Sequence, residues 1–311
     1  MVPSSPAGQH PYTMKQLYVL THLSKQAHHQ GVQRLQTQAQ KEGVYVRLME
    51  EIRSIHPGMG LRTMYDMAQP DGIGRDAFIA LGLREGFRLK AIEKHTRTTY
   101  SVKTNRYTNL LDGRRFTAVN QLWSSDITYV YCLNRFYYLV LIMDVYSRRI
   151  IGYSVADNMR AENNFSALHM ALQLRGIDDY GHRLIHHSDK GSQYASDLYT
   201  DTLDDYGISI SMCDEVYENT HIERVNDTIK NQYLLRMDIG SERQLHQQVA
   251  RVMEVYNTQR PHQSLPQKMT PVAYELYLQT VAQPDRIKMQ IFTVQKDEQQ
   301  EDPNQLKLVF S

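Results

Sequence analysis

The chain has 311 residues, 41% of them hydrophobic, with a formal net charge of +1 and two cysteines. That length allows two domains and a sizeable core. The sequence contains no apolar run of the roughly 18 residues needed to cross a bilayer, and its first residues, Met1–Pro6, have neither the basic nor the apolar segment of a secretory signal. Cys132 and Cys213 alone exclude a disulfide framework, a four-cysteine zinc site, and any Cys/His zinc module in the N-terminal third. A cytoplasmic, reduced protein without membrane contact is expected. The small net charge hides an asymmetry. Residues 1–117 carry 17 Lys/Arg against 9 Asp/Glu, and residues 118–311 carry 18 against 25. A basic arm on a mildly acidic body points to a polyanionic partner for the arm.

In chain order, residues 14–41 are polar and rich in Gln and His. Leu17, Leu20 and Leu23, then Val32 and Leu35, stand at helical spacing; Ser24 is placed to cap a second short helix and Gly31 to break it. An amphipathic helix over residues 44–53 follows Gly43. Short helices over 61–67 and 75–83 come after it, joined by Gly-bearing turns. Three such helices resemble a helix-turn-helix, so residues 1–83 are expected to form an all-α DNA-binding region. Residues 84–117, Thr-rich and basic with little periodicity, read as a linker suited to a phosphate backbone. From Asn120 the pattern changes to strands: 123–133, a two-residue turn at Asn134-Arg135, then 136–145 and 148–157. A helix over 160–175, a strand at 184–187, a tight turn at Gly191–Gln193, a helix over 197–206 and a strand at 208–212 come next. Helices over 218–235, 242–259 and 271–280 complete the series. This is the order of an α/β ribonuclease H-like core, a mixed five-stranded sheet with flanking helices, over residues 118–280. Residues 281–311 are expected to be a polar, disordered tail, with 295–304 acidic and Gln-rich.

The chemistry concentrates in acids. Asp126 falls inside the first strand, where a carboxylate is costly to bury unless it is paired or binds a cation. Asp189 sits at the C-terminal edge of the strand at 184–187, where open α/β sheets place ligands. The first and fourth strands are neighbours in this fold, so the two acids come together, and Glu223 on the following helix can join them. Three carboxylates suit Mg²⁺ or Mn²⁺. Two such ions, roughly 3.5–4 Å apart, can activate an attacking oxygen and stabilise a leaving one in phosphoryl transfer. Lys230, two turns after Glu223, either meets a phosphate near the metals or pairs with Asp227. Asp144 is read as a turn partner for Ser147 or Arg148, and His186 and His187 as core or second-layer histidines. The candidate DNA contacts are Arg75, Arg84, Lys103, Arg106, Lys190, Arg224 and Lys230.

Together these segments resemble a known family. Asn120-Gln121-Leu122-Trp123 with Asp126-Ile127-Thr128-Tyr129, and Asp144-Val145-Tyr146-Ser147-Arg148 with Ile151-Gly152, are two of its pieces. His187–Tyr194, Glu218-Asn219 with Glu223–Asn226, and Tyr256-Asn257 with Arg260–Leu265 and Thr270-Pro271 are the others. In this order they resemble bacterial insertion-sequence transposases of the downstream-reading-frame type, whose DDE core is shared with retroviral integrases. Gly74–Phe78 and Gly82-Leu83 are similar to the helical DNA-binding region of the same group.

The resemblance implies that Asp126, Asp189 and Glu223 are a metal-binding catalytic triad. It implies hydrolysis at the ends of an element, followed by attack of the freed 3′-hydroxyl on another DNA. It further implies a homo-oligomer on DNA and, as one arrangement, pairing or fusion with an upstream-frame helix-turn-helix protein. The stretch between Asp189 and Glu223 is two residues shorter than is usual in that group, which keeps Glu215 and Glu218 as rivals to Glu223. Two other readings compete with transposition. A stand-alone nuclease is disfavoured by the basic N-terminal third, and a non-catalytic DNA-binding derivative by the intact acids.

Overall fold

The computed structural model describes residues 12–92, 106–213 and 219–290. Lys103, Glu215, Glu218 and the Gln-rich stretch 295–304 lie outside the described residues. The chain divides into two compact units. One falls within Met1–Ile55 and Met59–Leu89, the other within His56–Gly58 and Lys90–Ser311.

The first unit contains helices α1 (Met14–Thr21), α2 (Lys25–Ile55), α3 (Leu61–Ala68) and α4 (Arg75–Arg84). Thr13 and Gln16 form a reciprocal cap on α1, and the Ser24 hydroxyl accepts the Ala27 N–H at the start of α2. Gly31 does not break the chain into two helices as the sequence suggests: α2 is continuous over 31 residues. A glycine inside a helix costs about 1 kcal/mol, and the Gln, Ala, Lys and Leu around Gly31 and Gly43 are good helix formers. The core of this unit is Met49, Ile52, Met59, Leu61, Met64, Phe78 and Leu81. Gly82 lets α4 approach it, because a Cβ there would press on Leu61 and Met49.

The second unit is built on a five-stranded sheet of β1 (Leu122–Cys132), β2 (Arg135–Asp144), β3 (Ile150–Ala156), β4 (Ile185–Ser188) and β5 (Ser209–Met212), in spatial order β3-β2-β1-β4-β5. β1, β2 and β3 are antiparallel neighbours, whereas β4 runs parallel to both β1 and β5. This is the expected ribonuclease H-like order. The β1–β2 turn is Leu133-Asn134, both with positive φ, and Cys132 pairs with Arg135. The turn thus lies one residue earlier than Asn134-Arg135, in the primed geometry that matches strand twist. β3 starts at Ile150 rather than 148. Asp144 Oδ1 accepts the N–H groups of Tyr146 and Ser147, each at 3.1 Å, and ties 145–149 into a turn.

Helices α5 (Ala161–Arg175) and α6 (Asp197–Asp205) cover one sheet face over a core containing Trp123, Val140, Ile142, Leu168, Tyr199 and Met212. Gly152 is required there, since any Cβ would overlap the Ala167 carbonyl oxygen of α5. Then come α7 (Thr220–Asp227), α8 (Glu242–Thr258) and α9 (Pro271–Leu278). A single helix over 218–235 is not observed. α7 gives way to a π-helical turn at Thr228–Tyr233 and a 3₁₀ turn at Leu234–Arg236. The Thr228 hydroxyl bonds back to the Arg224 carbonyl at 2.9 Å, a competition that distorts helices. Residues 192–195 form a 3₁₀ turn rather than a tight turn at 191–193. Among the described residues no helix is long and apolar enough to cross a membrane.

Candidate active site

Alternation along β1 sorts its residues between two environments. Trp123 and Ile127 face the α5–α6 core. Ser124 and Asp126 point the other way, where α7 receives them. The Ser124 hydroxyl donates to Asn219 Oδ1, Asn219 Nδ2 donates to the Ser125 carbonyl at 3.1 Å, and Asn226 Nδ2 donates to Asp126 Oδ2 at 2.7 Å. Three bonds therefore fix α7 to β1.

The parallel ladder of β1 and β4 runs from Leu122↔Ile185 to Ser125↔Ser188. One step further, where it ends, stand Asp126 and Asp189. Asp189 Oδ1 accepts the Gly191 N–H at 3.1 Å, so the small residue after Lys190 orients the acid. Burial, then the Asp189 charge, and to a lesser degree Glu223, push the Asp126 carboxyl up to about 7 against the pull of Ile127 N–H and Asn226. Burial also raises Asp189, with Gly191 opposing it, and burial raises Glu223. Glu223 lies in the first turn of α7 and is half-buried.

The three acids thus share one electrostatic neighbourhood. Among the described residues, however, no group of three His, Cys, Asp or Glu side chains is set to hold a metal ion. The donor set itself fits a hard divalent cation, since it is all carboxylate oxygen and its mutual repulsion is relieved by positive charge.

The remaining candidates are dispersed. Lys230 does not pair with Asp227, whose Oδ1 is taken by Asn231; its Nζ lies 4.3 Å from the Tyr129 ring centre instead. Lys190 is half-buried beside Asp189, and Arg224 is exposed on α7. Arg106 donates to the Ala195 carbonyl at 3.2 Å. In the first unit Arg75 pairs with Asp76 at 2.9 Å, and Arg84 with Glu42 at 2.6 Å and Glu85 at 3.1 Å. Such surface pairs are weak and do not commit either arginine.

Both histidines of β4 belong to the interior. His186 Nε2 lies 2.8 Å from the Tyr199 hydroxyl, and His187 lies between Ser211 Oγ at 2.9 Å and Cys213 Sγ at 3.1 Å. Asp144 is fully buried and serves its own turn, accepting from Asn120 N at 2.7 Å and Arg175 at 3.2 Å. Sequence reasoning missed the positioning roles of Asn226 and of Tyr194, whose hydroxyl meets Ser125 Oγ at 2.9 Å. The signal for Asn226 was its place three residues after Glu223, on the same helix.

Two family models, each described as an integrase core domain, match residues 117–216 and 206–271. The uncharacterized 31 kDa protein of insertion element IS600 from Shigella sonnei is 32% identical over 248 residues, 76% of this chain and 90% of that protein. The transposase for insertion sequence IS904 of Lactococcus lactis is 32% identical over 164 residues, 52% of this chain and 63% of its own length. The chain belongs to the insertion-sequence transposases with an integrase core. Among solved structures, the HTLV-2 integrase catalytic core domain in complex with magnesium aligns with this transposase at 20% identity and a TM-score of 0.40. That alignment covers 50% of this chain and 96% of the integrase domain. In this transposase, Asp126, Asp189 and the start of α7 fall inside the matched regions.

Proposed function

We propose that this chain cleaves the DNA ends of its insertion sequence and joins the freed 3′-hydroxyl to target DNA. Asp126, Asp189 and Glu223 are the acids in this reading. The observation that supports it most is the placement of Asp126 and Asp189 at the end of the β1–β4 ladder, with the Asp189 and Glu223 charges both acting on the Asp126 carboxyl. These residues would hold Mg²⁺ or Mn²⁺, as two ions. When bound, the ions supply charge stabilisation for an in-line phosphoryl displacement. The chain's own part is to keep the acids aimed. Asn226 and the Ile127 N–H hold Asp126, the Gly191 N–H holds Asp189, and Asn219 locks the start of α7 to β1.

In the same reading, residues 1–83 are a DNA-binding region, 84–117 a linker and 118–280 the catalytic core. DNA is the partner, and two or more copies act on a pair of ends. The test is a strand-transfer assay on branched DNA that mimics the joined product, which lessens dependence on the unknown end sequence. Metal-dependent rejoining by the wild type and none by Asp189→Asn or with chelator is expected. Equal activity of the two proteins would remove Asp189 from the site.

A further inference from the structure

His221 and Arg224, three residues apart, share one side of α7, while Asn226 reaches Asp126 around the other. Near that side lie Arg148, from the turn between β2 and β3, and His262, just after α8, with Arg260 acting on His262. Arg148 is only 8% exposed and holds a left-handed backbone with φ of 64°. Non-glycine residues adopt that conformation sparingly and often at functional sites. Its Nη2 finds only the Met289 sulfur, at 3.6 Å. Arg260 Nη1 and the Tyr256 hydroxyl are buried without a hydrogen-bond partner. The His262 ring stands edge-on to Tyr256 at 6.2 Å, its Nδ1 3.0 Å from Ser264 Oγ.

The five basic groups act on one another. Arg148, Arg224 and His262 bear on His221, Arg148 and Arg260 bear on His262, and Arg224 bears on Arg148.

The contrast with neighbouring arginines is informative. Arg149 and Arg175 have their carboxylate, Glu275, at 2.6 and 2.7 Å. Among the described residues, Arg148, Arg224 and Arg260 form no ion pair. Asp144 bears on Arg148, but its charge already answers Arg175 at 3.2 Å. Uncompensated buried guanidinium groups are costly, and burial with the two guanidinium neighbours holds His262 down to about 4. Guanidinium forks and imidazole donors from three directions offer more bonds than a carboxylate can accept. They suit a tetrahedral phosphate.

We propose that Arg148, His221, Arg224, Arg260 and His262 form a phosphate-binding pocket on the flank of the helix that carries Glu223, and that a DNA backbone phosphate fills it. The DNA assignment rests on the function proposed above; the pocket does not. Arg224, exposed, marks its mouth, and Arg148 its floor.

The test uses the full chain without divalent metal. Melting temperature is compared in inorganic phosphate and in chloride at equal ionic strength. Phosphate is expected to raise it for the wild type and for Asp189→Asn, and not for Arg260→Gln. A labelled duplex of arbitrary sequence is then titrated with each protein. Arg260→Gln is expected to bind about tenfold more weakly or worse, the loss of one charge-assisted bond. Its slope of log affinity against log salt becomes shallower by about one, which a folding defect does not produce. Arg148→Gln should repeat the result; if it does not fold, the other three proteins decide.

Wild-type protein that melts at the same temperature in both salts overturns the pocket. A phosphate shift with unchanged duplex affinity and slope in Arg260→Gln overturns the DNA assignment and leaves a site for a free phosphate compound. Neither readout needs catalysis, so a silent strand-transfer assay fails the catalytic reading alone.

Discussion

Acid should destabilise the integrase core through His186, and the effect can be isolated. His186 is 1% exposed, and burial, with His187 beside it, pushes its ring down to about 3. The unfolded chain takes up a proton near pH 6.5, and the folded chain does not until far lower. The unfolded state therefore binds more protons between those values, so stability is full above about pH 6.5 and is lost as pH falls below it. At about pH 5 the loss from this one ring is 1.5 pH units at 1.36 kcal/mol each, or about 2 kcal/mol. Any folded value below about 4.5 gives much the same figure, because the unfolded value sets it.

The chain's one tryptophan, Trp123, is the register partner of His186 across the β1–β4 ladder, and its fluorescence reports this core. Urea unfolding of the wild type and of His186→Gln would be followed from about pH 7.5 to about pH 5. Gln retains an acceptor for the Tyr199 hydroxyl, so the variant should start about 1–2 kcal/mol less stable. The difference should then shift by about 2 kcal/mol in favour of the variant in acid, bringing the two proteins level or reversing their order. Parallel pH profiles for the two proteins would refute the reasoning and place the proton elsewhere.

Three further outcomes follow from the packing. Asn226→Ala, which removes the 2.7 Å donor to Asp126, should cut strand transfer about ten- to a hundredfold, the worth of a hydrogen bond to a charged group; full activity in a folded variant would exclude the positioning role. Gly152→Ala drives a methyl into the Ala167 carbonyl and should cost about 2 kcal/mol or more in urea unfolding. Glu275→Gln takes the carboxylate from Arg149 and leaves Arg175 with Asp144 alone. It should cost about 3 kcal/mol, as expected for breaking a buried ion pair, and a change under about 0.5 kcal/mol would show the network to be dispensable.

The sheet was legible because its signals are local. A β-rich run at 122–132, a continuous apolar run at 135–144 and a short apolar strand before Asp189 define the hairpin and the first parallel partner, and the fold order then brings the acids together. What stayed hidden depends on competition or on distance. Gly31 looks like a stop, yet the helix formers around it prevail. Leu133 accepts a left-handed conformation that its residue type disfavours, because strand register decides the turn. Thr228 turns its own hydroxyl against the helix. Lys230 leaves the nearby Asp227 for an aromatic ring on β1. The basic cluster joins residues from three parts of the chain, 148, 221–224 and 260–262, and no spacing rule connects them. The role of Asn226 was visible as a position and invisible as a bond.

The end of the β1–β4 ladder also acts as a quality check on each molecule. Side chains alternate along β1, so a slip of one residue would send Asp126 into the apolar layer beneath α5 and α6 and expel Trp123 from it. The same slip would part Asp126 from both Asp189 and Asn226. A copy that pairs its strands wrongly thus loses its interior and its acids together.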